Sequence, residues 1–368
     1  MAKEEHLKIL ANGVDFWNNW RAREPEVVPD LSEEGFRCRI LCVEKETEGA
    51  KEFNIKAMNL QGINLKYANL HGTYLTKINL QGADFTGADL TGVMLSFSNL
   101  QNADFTNANL QESIITEANL QKACFYGANL AKGNLTNVNL QGANLQKSNL
   151  TKSCLLNANL TEANLYGAIL RETFLRQANL TKATLKEATL QGADLQYANI
   201  EGANLESANF SGANVANIIY NRKSCYRGIN VDSCYGSQMF KSDAIDQDHL
   251  EEYRGKSLWH AWIYIFWKIS SNCGRSMLIW ATWSWLILAF FIFIYYKLGP
   301  SHFKYPDGIW DITIPIYFSF VTFSTLGFGD IYPLTAIARL CIVVEVMTGY
   351  VMLGGLISIL ANKLSKRA

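Results

Sequence analysis

The sequence predicts a mixed architecture: a repeat solenoid followed by an α-helical membrane domain. Three observations carry this. Every fifth residue from Ile55 to Val215 is apolar, without a break. Two apolar stretches, Met277 to Tyr296 and Leu334 to Leu360, are long enough to cross a bilayer, and a shorter one, Ile309 to Thr325, lies between them. After the shorter stretch comes Gly327-Phe328-Gly329, two glycines one residue apart in an otherwise apolar region.

Charge and composition narrow the function classes. The 368 residues carry 33 basic and 33 acidic side chains. A neutral chain of this kind is expected neither to bind nucleic acid nor to act as an acidic mimic of it. The 8 cysteines are scattered. Cys38 and Cys42 lack the second pair that a zinc site needs, so reduced thiols in a mostly cytosolic protein are expected. The opening Met-Ala-Lys-Glu-Glu-His run is polar and unlike a signal peptide.

Residues 1–50 are expected to form an N-terminal helix and cap. Leu7, Leu10, Val14 and Trp17 fall at helical spacing, which predicts one amphipathic helix. Pro25 and Pro29 end the pattern and begin an extended lead-in. The tryptophans are expected to pack on the end of the next domain, because an open repeat end exposes apolar surface and unpaired backbone.

Residues 51–216 hold the repeat. Two residues before each apolar position sits a compact residue, as at Ala68, Ala83, Ala88 and Ala103, and the residue between is mostly Asn or Asp. A period of five is neither 3.6 nor 2, so neither an amphipathic helix nor a plain strand explains it, and a fixed period implies a solenoid. The pattern resembles the pentapeptide-repeat family. That resemblance implies a right-handed quadrilateral β-helix with four pentapeptides per coil. Residues 20 apart should then stack, as Phe85, Phe105 and Phe125 would, and as Gln101, Gln121 and Gln141 would. Roughly eight coils at ~4.8 Å each give a rod ~40 Å long. Basic and acidic residues balance along it, and no catalytic constellation is visible, so a scaffold or regulatory module is expected and an enzyme is not.

Residues 217–255 read as a junction that caps the rod's second end, with a short charged helix over Asp246 to Arg254. Cys225, Cys234 and His249 match no zinc spacing, and the two cysteines are expected to be buried structural thiols. Residues 256–275 hold Trp259, Trp262 and Trp267 with Lys256, His260, Tyr264 and Lys268 every four residues. One polar stripe on a tryptophan-rich helix predicts an amphipathic helix lying at the membrane interface.

Residues 276–368 read as a two-span pore. Met277 to Tyr296 spans ~30 Å as a helix, one hydrocarbon core. About ten helical residues after Pro315 reach only ~15 Å, so that stretch re-enters instead of crossing. Non-helical backbone at membrane depth persists only where protein buries it or it lines a water path. Lys268 and Arg275 before the first span, with Lys363, Lys366 and Arg367 after the second, place both termini and the rod in the cytoplasm of a multi-pass cell-membrane protein. His302, Lys304, Asp307 and Asp311 would then face outside.

Thr322-Phe-Ser-Thr325-Leu326-Gly327-Phe328-Gly329-Asp330 closely resembles the T-x-x-T-x-G-[YF]-G-D selectivity filter of potassium channels. The resemblance implies a homotetramer in the lipid bilayer. Backbone carbonyls of Thr325, Leu326, Gly327 and Phe328 would hold potassium as the permeant ion, Gly329 would permit the alternating backbone, and no cofactor is required. It further implies that Asp330 sits at the outer mouth, with Tyr317 as its hydrogen-bond partner and Thr322 in support. Gly349 occupies the place of an inner-helix hinge. The family's pore-helix glutamate is replaced by Val321. Glu345 is an intramembrane acid, either functional or a packing element. No arginine-rich span precedes the pore, so intrinsic voltage sensing is not expected. Two alternatives stay open: a weakly selective cation channel with the same pore, and a membrane-anchored interaction scaffold whose pore has lost conduction. An unknown cytoplasmic ligand or protein on the rod is an expectation beside them.

Overall fold

The computed structural model describes residues 4–32, 59–221, 223–271, 276–305 and 310–365. The repeat position at Ile55, the lead-in with Cys38 and Cys42, and Arg222, Cys273, Arg275, Asp307, Ile309, Lys366 and Arg367 lie outside the described residues. The chain divides into two compact units, Met1–Glu251 and Glu252–Ala368.

The first unit begins with two helices where the spacing predicts one: α1 (Glu4–Ala11) and α2 (Val14–Arg23). The break falls at Gly13, whose φ of 96° is closed to most L-residues and ends the α1 hydrogen-bond series. Leu7, Leu10 and Trp17 still share one buried cluster, whereas Phe16 faces solvent. α2 covers the end of the described rod with side chains bonded to its first backbone groups. The indole N–H of Trp17 donates to the Asn64 carbonyl at 2.7 Å, and Arg21 Nη2 donates to the Lys66 carbonyl at 3.1 Å. Asn18 both donates to the Gly62 carbonyl and accepts from the Asn64 N–H. The lead-in then pairs with the first coil, Asp30 opposite Asn69 in parallel.

The rod is a right-handed quadrilateral β-helix. Parallel bridges join each residue to the one 20 further on, from Asn59–Asn79 through Asn199–Ile219, with one bridge every five residues. The motif explains its own geometry. The Asn or Asp side chain accepts the N–H two residues ahead, as Asp84 Oδ1 does from Thr86, which bends the chain. The next residue takes a left-handed conformation, for example Gly82 at φ 66° and Lys132 at φ 59°. That conformation costs a non-glycine residue about 1–2 kcal/mol. Ladder bonds such as Lys132 N–H to the Thr151 carbonyl, 2.9 Å, offset it. Leucine and alanine then point inward and are fully buried. The three phenylalanines stack at 4.8 and 4.7 Å between centroids, nearly parallel. Gln101, Gln121 and Gln141 form a side-chain ladder outside.

The coil does not stop at Val215. Asn204, Asn209 and Asn214 bridge to Cys225, Asn230 and Tyr235, a step of 21 instead of 20. A single extra residue near 221–224 shifts the phase and hides one more coil, lined by Ile218, Tyr226, Ile229, Val231 and Cys234. α3 (Gln238–Gly255) is longer than the Asp246–Arg254 segment. Its Phe240 and Ala244 are buried against the last coil, Phe240 among Phe210, Tyr220 and Tyr226. Its carboxylates take the coil's exposed donors: Asp248 accepts the Gly228 N–H at 2.6 Å, and Glu251 accepts from the Tyr226 N–H and the Cys225 thiol. No three-ligand cluster of the metal-binding type occurs among the described residues.

The second unit contains α4 (Leu258–Ser271), α5 (Met277–Leu298), α6 (Thr313–Phe323) and α7 (Ala336–Ser365). α5 and residues Ala336–Ala361 of α7 have the length and hydropathy of membrane spans, and α6 is half as long. Between α5 and α6 runs β1 (Phe303–Lys304), paired antiparallel with β2 (Tyr332–Pro333) ahead of α7. α4 exposes Leu258, Trp259, Trp262, Phe266 and Ile269 and buries Tyr264, which Arg254 and Lys268 approach at 5.7 and 5.9 Å from the ring centre.

Candidate functional site

The chain enters the site from the C-terminus of α6. Pro315 sits in the first turn, where its missing N–H costs nothing, and residues through Phe323 are helical. Two bonds tighten the exit: Thr325 N–H to the Thr322 carbonyl and Leu326 N–H to the Val321 carbonyl, each 3.0 Å. Thr322 is buried beneath them.

The next residues alternate. Thr325, Gly327 and Gly329 have φ of 61°, 55° and 74°, while Leu326 and Phe328 between them do not enter the left-handed region. Alternating hands turn successive peptide planes against one another, a conformation that glycine reaches without a steric penalty. Threonine at a left-handed position is a strained choice. Leu326 and Phe328 are 61% and 67% exposed in the single chain.

Asp330 follows, and its Oδ2 accepts the Tyr317 hydroxyl proton at 2.8 Å, tying the far end of the loop to the helix that launches it. Ile331 is buried, and the chain returns through β2, with the Leu334 N–H on the His302 carbonyl and His302 Nδ1 at 2.7 Å from Thr335 Oγ1. Just ahead of α6, the Thr313 hydroxyl and N–H hold the Asp311 carboxyl below its ordinary range.

Glu345 and Gly349 both meet α6. Glu345 is fully buried and accepts from Ser319 of α6 and from Tyr295 of α5. Gly349 lies against the Phe323 carbonyl, whose oxygen would be 2.2 Å from an added Cβ. α7 runs unbroken through it. Val321, buried, supplies no carboxyl. The structure therefore gathers Thr322, Thr325 to Asp330, Tyr317, Glu345 and Gly349 around one short helix and its exit. Ser319 and Tyr295 were not visible as members. A lone hydroxyl in an apolar helix opposite an intramembrane acid is the signal that could have found them.

Two families match. The one described as pentapeptide repeats fits in 8 copies within residues 59–92, 95–130, 123–161, 158–196 and 190–218. The one described as ion channel fits residues 258–366. The chain is 41% identical over 68 residues to potassium channel protein kcv of Paramecium bursaria Chlorella virus 1, which covers 17% of this chain and 71% of that protein. Among solved structures, HetL, a pentapeptide-repeat protein from the cyanobacterium Nostoc sp. strain PCC 7120, is 29% identical, covering 49% of this chain and 87% of its own at a TM-score of 0.33. QnrB1, a plasmid-mediated fluoroquinolone resistance protein, is 18% identical over 48% of this chain and 95% of its own, at a TM-score of 0.35. The chain belongs to the potassium-channel family, with an N-terminal pentapeptide-repeat β-helix joined to the channel domain.

Proposed function

We propose that four copies of the chain assemble around a central axis as a potassium-selective channel. One loop cannot surround an ion, whereas four loops present a ring of oxygens at each level. Carbonyls of Thr325, Leu326, Gly327 and Phe328, with the Thr325 hydroxyl, replace the water shell of the ion. Potassium passes from level to level without a cofactor. Asp330, held by Tyr317, fixes the outer end of the loop, and Thr322 supports its base. Gly349 gives the inner helix a place to bend. The rod acts as a cytoplasmic scaffold or regulatory module of a cell-membrane protein whose termini both face inward.

The observation that carries this reading is the alternation of left-handed residues at Thr325, Gly327 and Gly329. The test is rubidium flux into potassium-loaded liposomes by the full chain beside Gly327→Ala. A side chain at φ 55° disfavours the alternating backbone, so flux should fall to background. Equal flux from both proteins sinks the filter assignment. Phe328 and the loss of a carboxyl at Val321 favour a second reading, a weakly selective cation channel, and a potassium-to-sodium permeability ratio near unity selects it.

A further inference from the structure

Glu345 is the acid that the pore does not use. Its carboxyl is fully buried, and no ion pair to it is formed among the described residues. Burying a carboxyl in an apolar helix bundle is costly, and an aliphatic side chain of similar volume would pack without that cost. The residue is instead held by two hydroxyls from two other helices. Tyr295 of α5 donates to Oε2 at 2.5 Å, and Ser319 of α6 donates to Oε1. Tyr295 and Ser319 are themselves fully buried. The Ser319 hydroxyl also lies 3.5 Å from the Leu288 carbonyl of α5.

The position of these contacts matters more than their number. Ser319 is four residues before Phe323, and Glu345 is four residues before Gly349. Besides their apolar packing, α7 and α6 therefore share two matched contacts one helical turn apart on both helices: Glu345 on Ser319, and Gly349 on the Phe323 carbonyl. Two matched contacts fix the register and the depth of the pore helix along the inner helix. α6 has no other polar tie to α7 among the described residues, and it carries both ends of the loop, the exit at Phe323 and the Tyr317 anchor of Asp330.

We infer that Glu345 is a positioning residue for ion selection: through Ser319 it sets the height of the pore helix, and so of the carbonyl ladder, against the inner helix. It does the work that a carboxyl at Val321 would do from behind the filter, but from another helix. Because the inner helix carries it, displacement of α7 is passed to the filter at the same point. The inference rests on the pore reading above.

The test measures potassium-to-sodium permeability ratios from bi-ionic reversal potentials of the full-length protein in liposomes, with the tetramer checked by cross-linking. Glu345→Leu and Ser319→Ala should each lower the ratio by roughly tenfold, which corresponds to about 1.4 kcal/mol. Glu345→Gln, which can accept from Tyr295 and donate to Ser319, should stay within about threefold of the parent. The Glu345→Leu, Ser319→Ala double variant should be no worse than the poorer single one, because both remove one contact. Ratios unchanged in Ser319→Ala, or losses that add in the double variant, overturn the inference. Ser319→Ala removes one oxygen atom and carries the test alone if Glu345→Leu does not assemble. A parent protein without selective flux refutes the pore reading instead, so the two failures are distinct.

Discussion

The indole N–H of Trp280 donates to the Met352 carbonyl across 2.7 Å, and the same ring occupies the space that a side chain at residue 355 would need. An added Cβ on Gly355 would come within 2.1 Å of Trp280 Cζ2. The two spans are thus locked where α5 begins, three residues beyond the Met352 bond on α7.

Gly355→Ala should lower the midpoint of thermal unfolding of the channel unit, with a cost of about 1–3 kcal/mol from overpacking. Trp280→Phe added to it should recover part of that loss, because the smaller ring can retreat. Differential scanning fluorimetry on the detergent-solubilised chain reads both. Additive losses in the pair would show that the ring and the glycine are not coupled.

Gly349→Ala tests a different contact. Its obstacle is the Phe323 backbone carbonyl, not a movable side chain, so α6 and α7 must separate. Reduced thermal stability together with lost rubidium flux is the expected result. A fully stable protein with altered opening alone would leave the hinge as the sole role of this glycine.

Phe105 sits between Phe85 and Phe125 in a dry stack, fully buried. Phe105→Ala should destabilise the rod by about 3–5 kcal/mol, the usual cost of removing a buried ring. Urea-dependent limited proteolysis of the full chain will show it as earlier cleavage within the repeats. An unchanged cleavage midpoint would mean that neighbouring coils collapse into the gap.

Burial pushes the Tyr226 phenol up to about 12, above its unfolded value near 10. The folded rod therefore keeps a proton that the unfolded chain releases. This contribution is fully present below pH ~10 and is lost as pH rises toward 12. Tyr226→Phe should flatten the fall in rod stability over that interval, measured by urea denaturation at stepped pH. A slope identical to the parent's would exclude Tyr226 as its source.

The rod was legible because its period is a direct consequence of its geometry: each fifth residue must face inward, so the pattern survives any choice of outward residues. The same logic explains what was hidden. One added residue before Cys225 breaks the period while leaving the coil intact, so Tyr226 and Val231 do not read as repeat positions. Gly13 splits a helix whose apolar spacing continues across the break, since spacing records a face and not continuity. In the channel unit, span lengths and the glycine pair were readable as local properties. Glu345 was visible as an acid, but its partners lie 50 and 26 residues away, and no local pattern joins Tyr295, Ser319 and Glu345.

The 20-residue step of the bridges makes the rod a cassette in which arithmetic outranks size. Excising one whole coil returns every later face to its former phase, shortens the rod by ~4.8 Å and leaves both lids with the surfaces they fit. Deleting a single residue at mid-rod would instead turn alanines outward and asparagines inward in every coil downstream. The slip before Cys225 has only the final coil below it, so losing count there disturbs almost nothing.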